Sequence, residues 1–116
     1  MNSESHEFRF AIVHANGSTN IEFGGDLDLA SASEFAGRLQ LLSDAGPGEV
    51  TIDLAKVTFI DSTGLMTVLT AKQRMTEAGQ RLKVRNPSRS VCRVLELSGA
   101  GHLLDVDLST LGAVAD

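Results

Sequence analysis

The hydrophobic pattern changes period several times along this chain, and each change marks an element. Phe8, Phe10 and Ile12 alternate with Arg9, Ala11 and Val13, a period of two that predicts a strand. Asn16-Gly17 follows, a pair suited to a tight turn with positive φ. Ile21 and Phe23 begin a second strand, so the start of the chain reads as a hairpin. Gly24-Gly25 is expected to break it, and Asp26-Leu27-Asp28-Leu29 then leads into a helix. Ser31 and Glu34 have capping-box spacing, and Ala32, Phe35, Ala36, Leu39 and Leu42 share one helical face. Gly46-Pro47-Gly48 stops this helix.

The period returns to two at Val50, Ile52 and Leu54, a third strand, and Val57 to Ile60 reads as a short apolar connector. A second helix is expected from Asp61-Ser62, with Ser62 as its N-cap. Leu65, Met66, Val68, Leu69 and Met75 make its apolar face, and Gly79 closes it in the left-handed conformation. Leu82 and Val84 predict a short strand, Asn86-Pro87 a turn, and Ser88 the cap of a third helix. Val91, Val94 and Leu95 form that helix's buried stripe, and Gly99 ends it. Leu103, Leu104 and Val106 predict a last strand, followed by a short terminal helix. Strands alternating with helices predict an α/β fold, with right-handed crossovers joining parallel strands. The N-terminal hairpin makes the sheet mixed, mostly parallel, with helices packed against it.

A length of 116 residues is that of one domain, read as residues 8–116 behind a flexible tail of residues 1–7. Apolar residues are 42% of the chain, enough for a folded core. Cys92 is the sole cysteine, so no intrachain disulfide forms. The polar, acidic start does not read as an export signal, and no apolar run reaches a bilayer span. A cytoplasmic location without membrane insertion is therefore expected. The net charge of -5 runs against direct nucleic-acid binding and favours a partner with basic groups. The absence of Trp and Tyr removes the usual base-stacking platforms.

The candidate chemistry centres on Asp61-Ser62-Thr63-Gly64, between a strand-like and a helix-like run. Serine at a helix start has two readings. It is a plain cap, or it is a place where helix amides and dipole favour a phosphate. Asp26 and Asp28 also sit between a strand and a helix. In a parallel sheet such loops share the carboxyl edge, which would gather Asp26, Asp28, Asp61 and Ser62 against a basic partner. Here too a bland reading stands, in which each aspartate caps a helix or faces solvent.

Four motifs in order resemble the anti-sigma factor antagonist family, the type case of the STAS domain. They are Gly25-Asp26-Leu27-Asp28, Thr51-Ile52-Asp53-Leu54, Phe59-Ile60-Asp61-Ser62-Thr63-Gly64-Leu65, and Asn86-Pro87-Ser88 with Val94-Leu95-Glu96-Leu97-Ser98-Gly99. Together they span about Phe8 to Val106. The resemblance implies a STAS fold and partner switching. The unphosphorylated antagonist binds an anti-sigma factor that is also a serine kinase, freeing a sigma factor; phosphorylation releases it and a serine phosphatase resets it. The family's phosphoacceptor falls on Ser62, with Thr63 the alternative hydroxyl. Asp28 falls on the kinase-facing aspartate, and Asp26, Asp61, Thr63 and Gly64 join the implied partner surface. Asp26 replaces a usual glutamate, and Met66 stands where a second glycine often follows Gly-Leu. No cofactor is implied.

Two rivals are weighed against this. A STAS regulatory subunit of a transporter or stress-signalling assembly shares the fold. A serine hydrolase at Ser62 lacks the Gly-x-Ser-x-Gly elbow and an evident base, His102 being placed only by chance of folding. Arg81, Lys83, Arg85, Arg89 and Arg93 read as a solvated face rather than an anion site. Cys92 reads as a small buried hydrophobe, and His6, His14 and His102 lack zinc-ligand spacing.

Overall fold

The computed structural model describes residues 6–15, 18–44 and 48–107. Its elements are β1 (Arg9–Ala15), β2 (Ser18–Leu27), α1 (Ala32–Ser43), β3 (Gly48–Ile60), α2 (Ser62–Glu77), β4 (Gln80–Arg85), α3 (Arg89–Ser98), a 3-10 turn (Ala100–Leu103) and β5 (Asp105–Asp107). The strands form one sheet in sequence order, with β1 and β2 antiparallel and the other pairs parallel. This is the expected α/β architecture with a mixed sheet.

Strand alternation turns one face of the sheet inward. Ile21, Phe23 and Leu27 of β2, Val50, Ile52 and Leu54 of β3, and Leu82 and Val84 of β4 are all buried. They join one core with Phe35 and Leu39 of α1, Leu65, Val68 and Met75 of α2, and Val91 and Leu95 of α3. Phe23 meets Phe35 edge-on at 4.7 Å, and Phe8 stacks on Phe23 at 5.9 Å, geometries that add to simple area burial. Phe8 thereby ties the N-terminal segment to the core.

Several expectations change for local reasons. Gly24-Gly25 does not end β2. The strand continues through a register irregularity, which Gly25 permits at φ +83°. A Cβ on Gly25 would lie 2.1 Å from the Glu7 carbonyl oxygen, because the N-terminal segment crosses there and the His6 carbonyl accepts from the Asp26 amide at 2.9 Å. Since β2 continues, β3 has a partner for longer: Val57 to Ile60 is strand, not connector, and ends with Ile60 opposite Leu27. Ser31 starts α1 but its side chain does not cap, because its φ of -100° and ψ of -4° are already helical. Leu103 is half-exposed in the 3-10 turn, so the last strand is confined to β5, with Leu104 buried just before it.

Other expectations hold. Ser88 accepts from the Val91 amide at 3.3 Å, and Gly99 ends α3 at φ +71°. Gly79 takes φ +82° after α2. The Asn16-Gly17 turn, the Gly46-Pro47 stop, the terminal helix and residues 1–5 of the tail lie outside the described residues. Among the described residues no helix is long and apolar enough to cross a membrane.

The basic residues of β4 have acidic neighbours in register. Glu49 is opposite Arg81 and Asp53 opposite Arg85 on one side; Asp105 is opposite Lys83 and Asp107 opposite Arg85 on the other.

Candidate functional site

The site is built where β2 and β3 end together. Leu27 and Ile60 are the last paired residues, so the chain leaves the sheet at Asp28 and Asp61 side by side. Asp61 stays extended at φ -110°, ψ -173°, and its amide donates to the Leu27 carbonyl at 3.2 Å. Its carboxylate accepts from the Gly64 amide at 2.9 Å. Asp61, not Ser62, is therefore the N-cap of α2: the extended backbone that aims a cap belongs to residue 61, and a carboxylate is favoured at the positive end of the helix.

Ser62 is displaced into the first helical turn. It is exposed, and no described residue hydrogen-bonds its hydroxyl. Thr63 is half-buried, and its carbonyl accepts from the Thr67 hydroxyl at 2.9 Å. Gly64 is buried; a Cβ there would lie 2.2 Å from the Leu27 carbonyl oxygen. The tetrapeptide thus divides into a cap, an exposed hydroxyl, a half-buried hydroxyl and a residue that must be small where helix meets strand.

Asp28 is fixed by reciprocal bonds with Ser31. Its carboxylate accepts from the Ser31 amide at 3.2 Å, and its own amide donates to the Ser31 hydroxyl oxygen at 3.1 Å. The Ser31 hydroxyl also donates to the Asp26 carbonyl at 2.7 Å. Ser31 thus shares a reciprocal bond pair with the aspartate three residues before it rather than with Glu34 three residues after.

Asp26 lies within β2, opposite Phe59, one residue before buried Leu27 and hence on the other face of the sheet. Its carboxylate accepts from the Thr58 hydroxyl at 2.6 Å and meets the His6 ring nitrogen at 3.1 Å. The Thr58 bond holds the Asp26 carboxyl below its ordinary range; partial burial opposes this, and His6 reinforces it. Asp28, Asp61 and Ser62 are therefore neighbours at the sheet's edge, while the Asp26 carboxylate is engaged behind them.

Exposed apolar side chains follow both acidic motifs. Met66, one turn beyond Ser62, is 58% exposed, and Leu29 in the β2–α1 loop is 77% exposed. Met66 and Ala36 were both expected on buried faces. Both are exposed, because each sits at the flank of its apolar stripe, where α1 and α2 leave a groove between them. The sequence signal for Met66 was its bulk at a position where small residues are common.

Chemistry of other kinds finds little support. Burial and the Glu96 carboxylate push the Cys92 thiol up, disfavouring the reactive thiolate, and its sulfur lies 3.6 Å from the Pro87 carbonyl. Among the described residues no cluster of His, Cys, Asp and Glu could hold a metal ion.

Comparison with known proteins gives a consistent picture. A family model described as "Mlab, STAS domain" matches residues 10–114. The anti-sigma-B factor antagonist of Bacillus subtilis (strain 168) is 27% identical over 94 residues, covering 81% of this chain and 85% of that protein. The crystal structure of an anti-sigma factor antagonist from Mycobacterium paratuberculosis superposes with a TM-score of 0.77 at 21% identity, covering 99% of this chain and 100% of that one. The Bacillus cell fate determinant SpoIIAA, in its phosphorylated form, gives 0.64 at 17% identity over 92% of this chain and 98% of its own. At such identities the structural likenesses establish the fold.

Proposed function

The chain belongs to the STAS domain family, and from that premise we propose that it is an anti-sigma factor antagonist switched by phosphorylation of Ser62. Unphosphorylated, it binds an anti-sigma factor with serine kinase activity and so frees a sigma factor. Phosphorylated, it lets go, and a serine phosphatase restores it. It acts in the cytoplasm as a binding protein rather than an enzyme.

The observation that carries this reading is the exposed Ser62 in the first turn of α2, directly after Asp61 and at the strand ends where Asp28 also leaves the sheet. A kinase reaches an exposed hydroxyl more readily than the half-buried Thr63, so Ser62 is the preferred acceptor. A phosphate there adds nearly two negative charges to an already acidic edge. A partner docked against the neutral hydroxyl then meets bulk and like charge worth several kcal/mol. Each ~1.4 kcal/mol is about tenfold in affinity, so a local change suffices for release. The phosphorylated form of SpoIIAA, whose fold this chain shares, supports the compatibility of phosphate and fold.

The test uses each purified kinase-type anti-sigma factor of the host with Mg-ATP, followed by mapping of the modified residue. Phosphate on Ser62, retained binding by Ser62→Ala and lost binding by Ser62→Glu are expected. Equal affinity of the two variants for the partner, or phosphate only elsewhere, overturns the proposal.

A further inference from the structure

Residues 6–8 lie as a strap across β2. The Glu7 carbonyl occupies the space that a Cβ on Gly25 would need, and the Asp26 amide donates to the His6 carbonyl at 2.9 Å. Phe8 packs against Phe23 at 5.9 Å and Phe35 at 6.0 Å. The strap is thus pinned by the core at Phe8 and by a backbone bond at His6, where the side chain is exposed.

At that outer end an imidazole meets a carboxylate. His6 Nδ1 lies 3.1 Å from Asp26 Oδ1, the same oxygen that accepts from the Thr58 hydroxyl at 2.6 Å. A neutral imidazole donates there only in the tautomer with its hydrogen on Nδ1, whereas a protonated ring always donates and adds a charge. Among the described residues His6 is the charged neighbour that acts on the Asp26 carboxylate. Lys56 of β3 turns to Glu22 at 3.9 Å. From α3, the Ser90 hydroxyl donates to the Thr58 carbonyl at 2.9 Å, and Arg89 beside it adds no charge effect at Asp26. Next along the chain, the Arg9 guanidinium donates to the Glu7 carbonyl at 3.4 Å.

From Asp26 the contacts run on to the sheet edge. The Asp26 carbonyl accepts from the Ser31 hydroxyl at 2.7 Å, and Ser31 exchanges bonds of 3.1 and 3.2 Å with Asp28. We propose that residues 6–8 are a proton-sensitive strap: protonation of His6 fastens it to Asp26 and, through Ser31, steadies the loop that carries Asp28. Histidine gains its charge below about pH 6.5, where carboxylates stay ionised. The charged pair therefore favours the fastened strap on the acid side, and its contribution is lost as pH rises. Because the His6 side chain is exposed, the gain is modest, up to about fivefold in the fastening equilibrium.

The test follows amide hydrogen exchange in the full chain from about pH 5 to about pH 7.5, corrected for the intrinsic pH dependence of exchange. The Asp26 amide is expected to be about two- to fivefold better protected at the acid end, with the Ser31 amide moving in the same direction. His6→Gln keeps a polar side chain but takes no proton, and is expected to flatten both profiles. Asp26→Asn keeps an oxygen for Thr58 without the charge, and is expected to do the same. A flat profile in the wild-type chain, or the same slope in His6→Gln, overturns the strap. A Ser31 amide indifferent to pH while the Asp26 amide responds overturns its reach to Asp28.

Discussion

The Asp61 amide donates to the Leu27 carbonyl at 3.2 Å, so the entrance of α2 is fastened to the end of β2. The same carbonyl oxygen would stand 2.2 Å from a Cβ on Gly64. One backbone oxygen thus sets how closely the helix approaches the sheet, and with it the position of Ser62 relative to Asp28.

Because Asp61 is the cap, Asp61→Ala should destabilise the fold by about 1 kcal/mol, the usual loss for removing a capping side chain. Ser62→Ala should change stability by less than about 0.5 kcal/mol, as exposed substitutions usually do. Urea unfolding midpoints of the two variants check this. A larger loss for Ser62→Ala than for Asp61→Ala would place the cap on the wrong residue.

Gly64→Ala forces α2 away from the Leu27 carbonyl. Overpacking of this kind is expected to lower stability by about 2–3 kcal/mol. Gly37→Ala serves as the comparison, since nothing lies within 4 Å of a Cβ there. Removing a helical glycine at that site should stabilise by about 0.5–1 kcal/mol. Thermal melts that rank the two variants the other way would contradict the close contact.

The Thr58–Asp26 bond makes an acid-sensitive contribution. With its folded pKa below the ordinary 3.8, the Asp26 carboxylate stabilises the fold above that value. The contribution fades as pH falls through the depressed pKa, because the unfolded chain takes up the proton first. Thr58→Val should be less stable than wild type at about pH 6, with the gap narrowing toward about pH 2. A gap that is constant over this range, read from denaturant curves, would remove Thr58 as the cause.

On the proposed function Asp28 combines its loop contact with Ser31 and a charge that faces the partner. Asp28→Asn keeps an oxygen for the Ser31 amide while removing the charge, so the fold should persist. Affinity for the anti-sigma factor should drop about tenfold at low salt, and the difference should shrink as salt screens the pair. Titrations at two ionic strengths decide it; a salt-independent change would indicate loop geometry instead.

The periodic elements were legible because burial imposes period two on β2, β3 and β4 and a helical stripe on α2 and α3. Gly24-Gly25 was misread because a bulge and a break use the same residue. Only the crossing of the N-terminal segment over Gly25 distinguishes them. Both Asp61 and Ser62 are good caps by type, and the choice rests on which backbone is extended, set by the Leu27 bond. Ala36 and Met66 were misplaced because they flank their stripes, where exposure depends on the spacing of two helices far apart in sequence. The Asp61-Ser62-Thr63-Gly64 stretch stood out through family resemblance, its spacing alone fitting any capped helix.

The placement of the cap one residue ahead of the hydroxyl has a consequence for repeated use. A side chain that holds a helix together surrenders that hold each time it is chemically altered, and the scaffold loosens with every message. On the proposed function the anchoring duty belongs to Asp61 and the messaging duty to Ser62, so the molecule can be written on and erased many times with its architecture indifferent to the text.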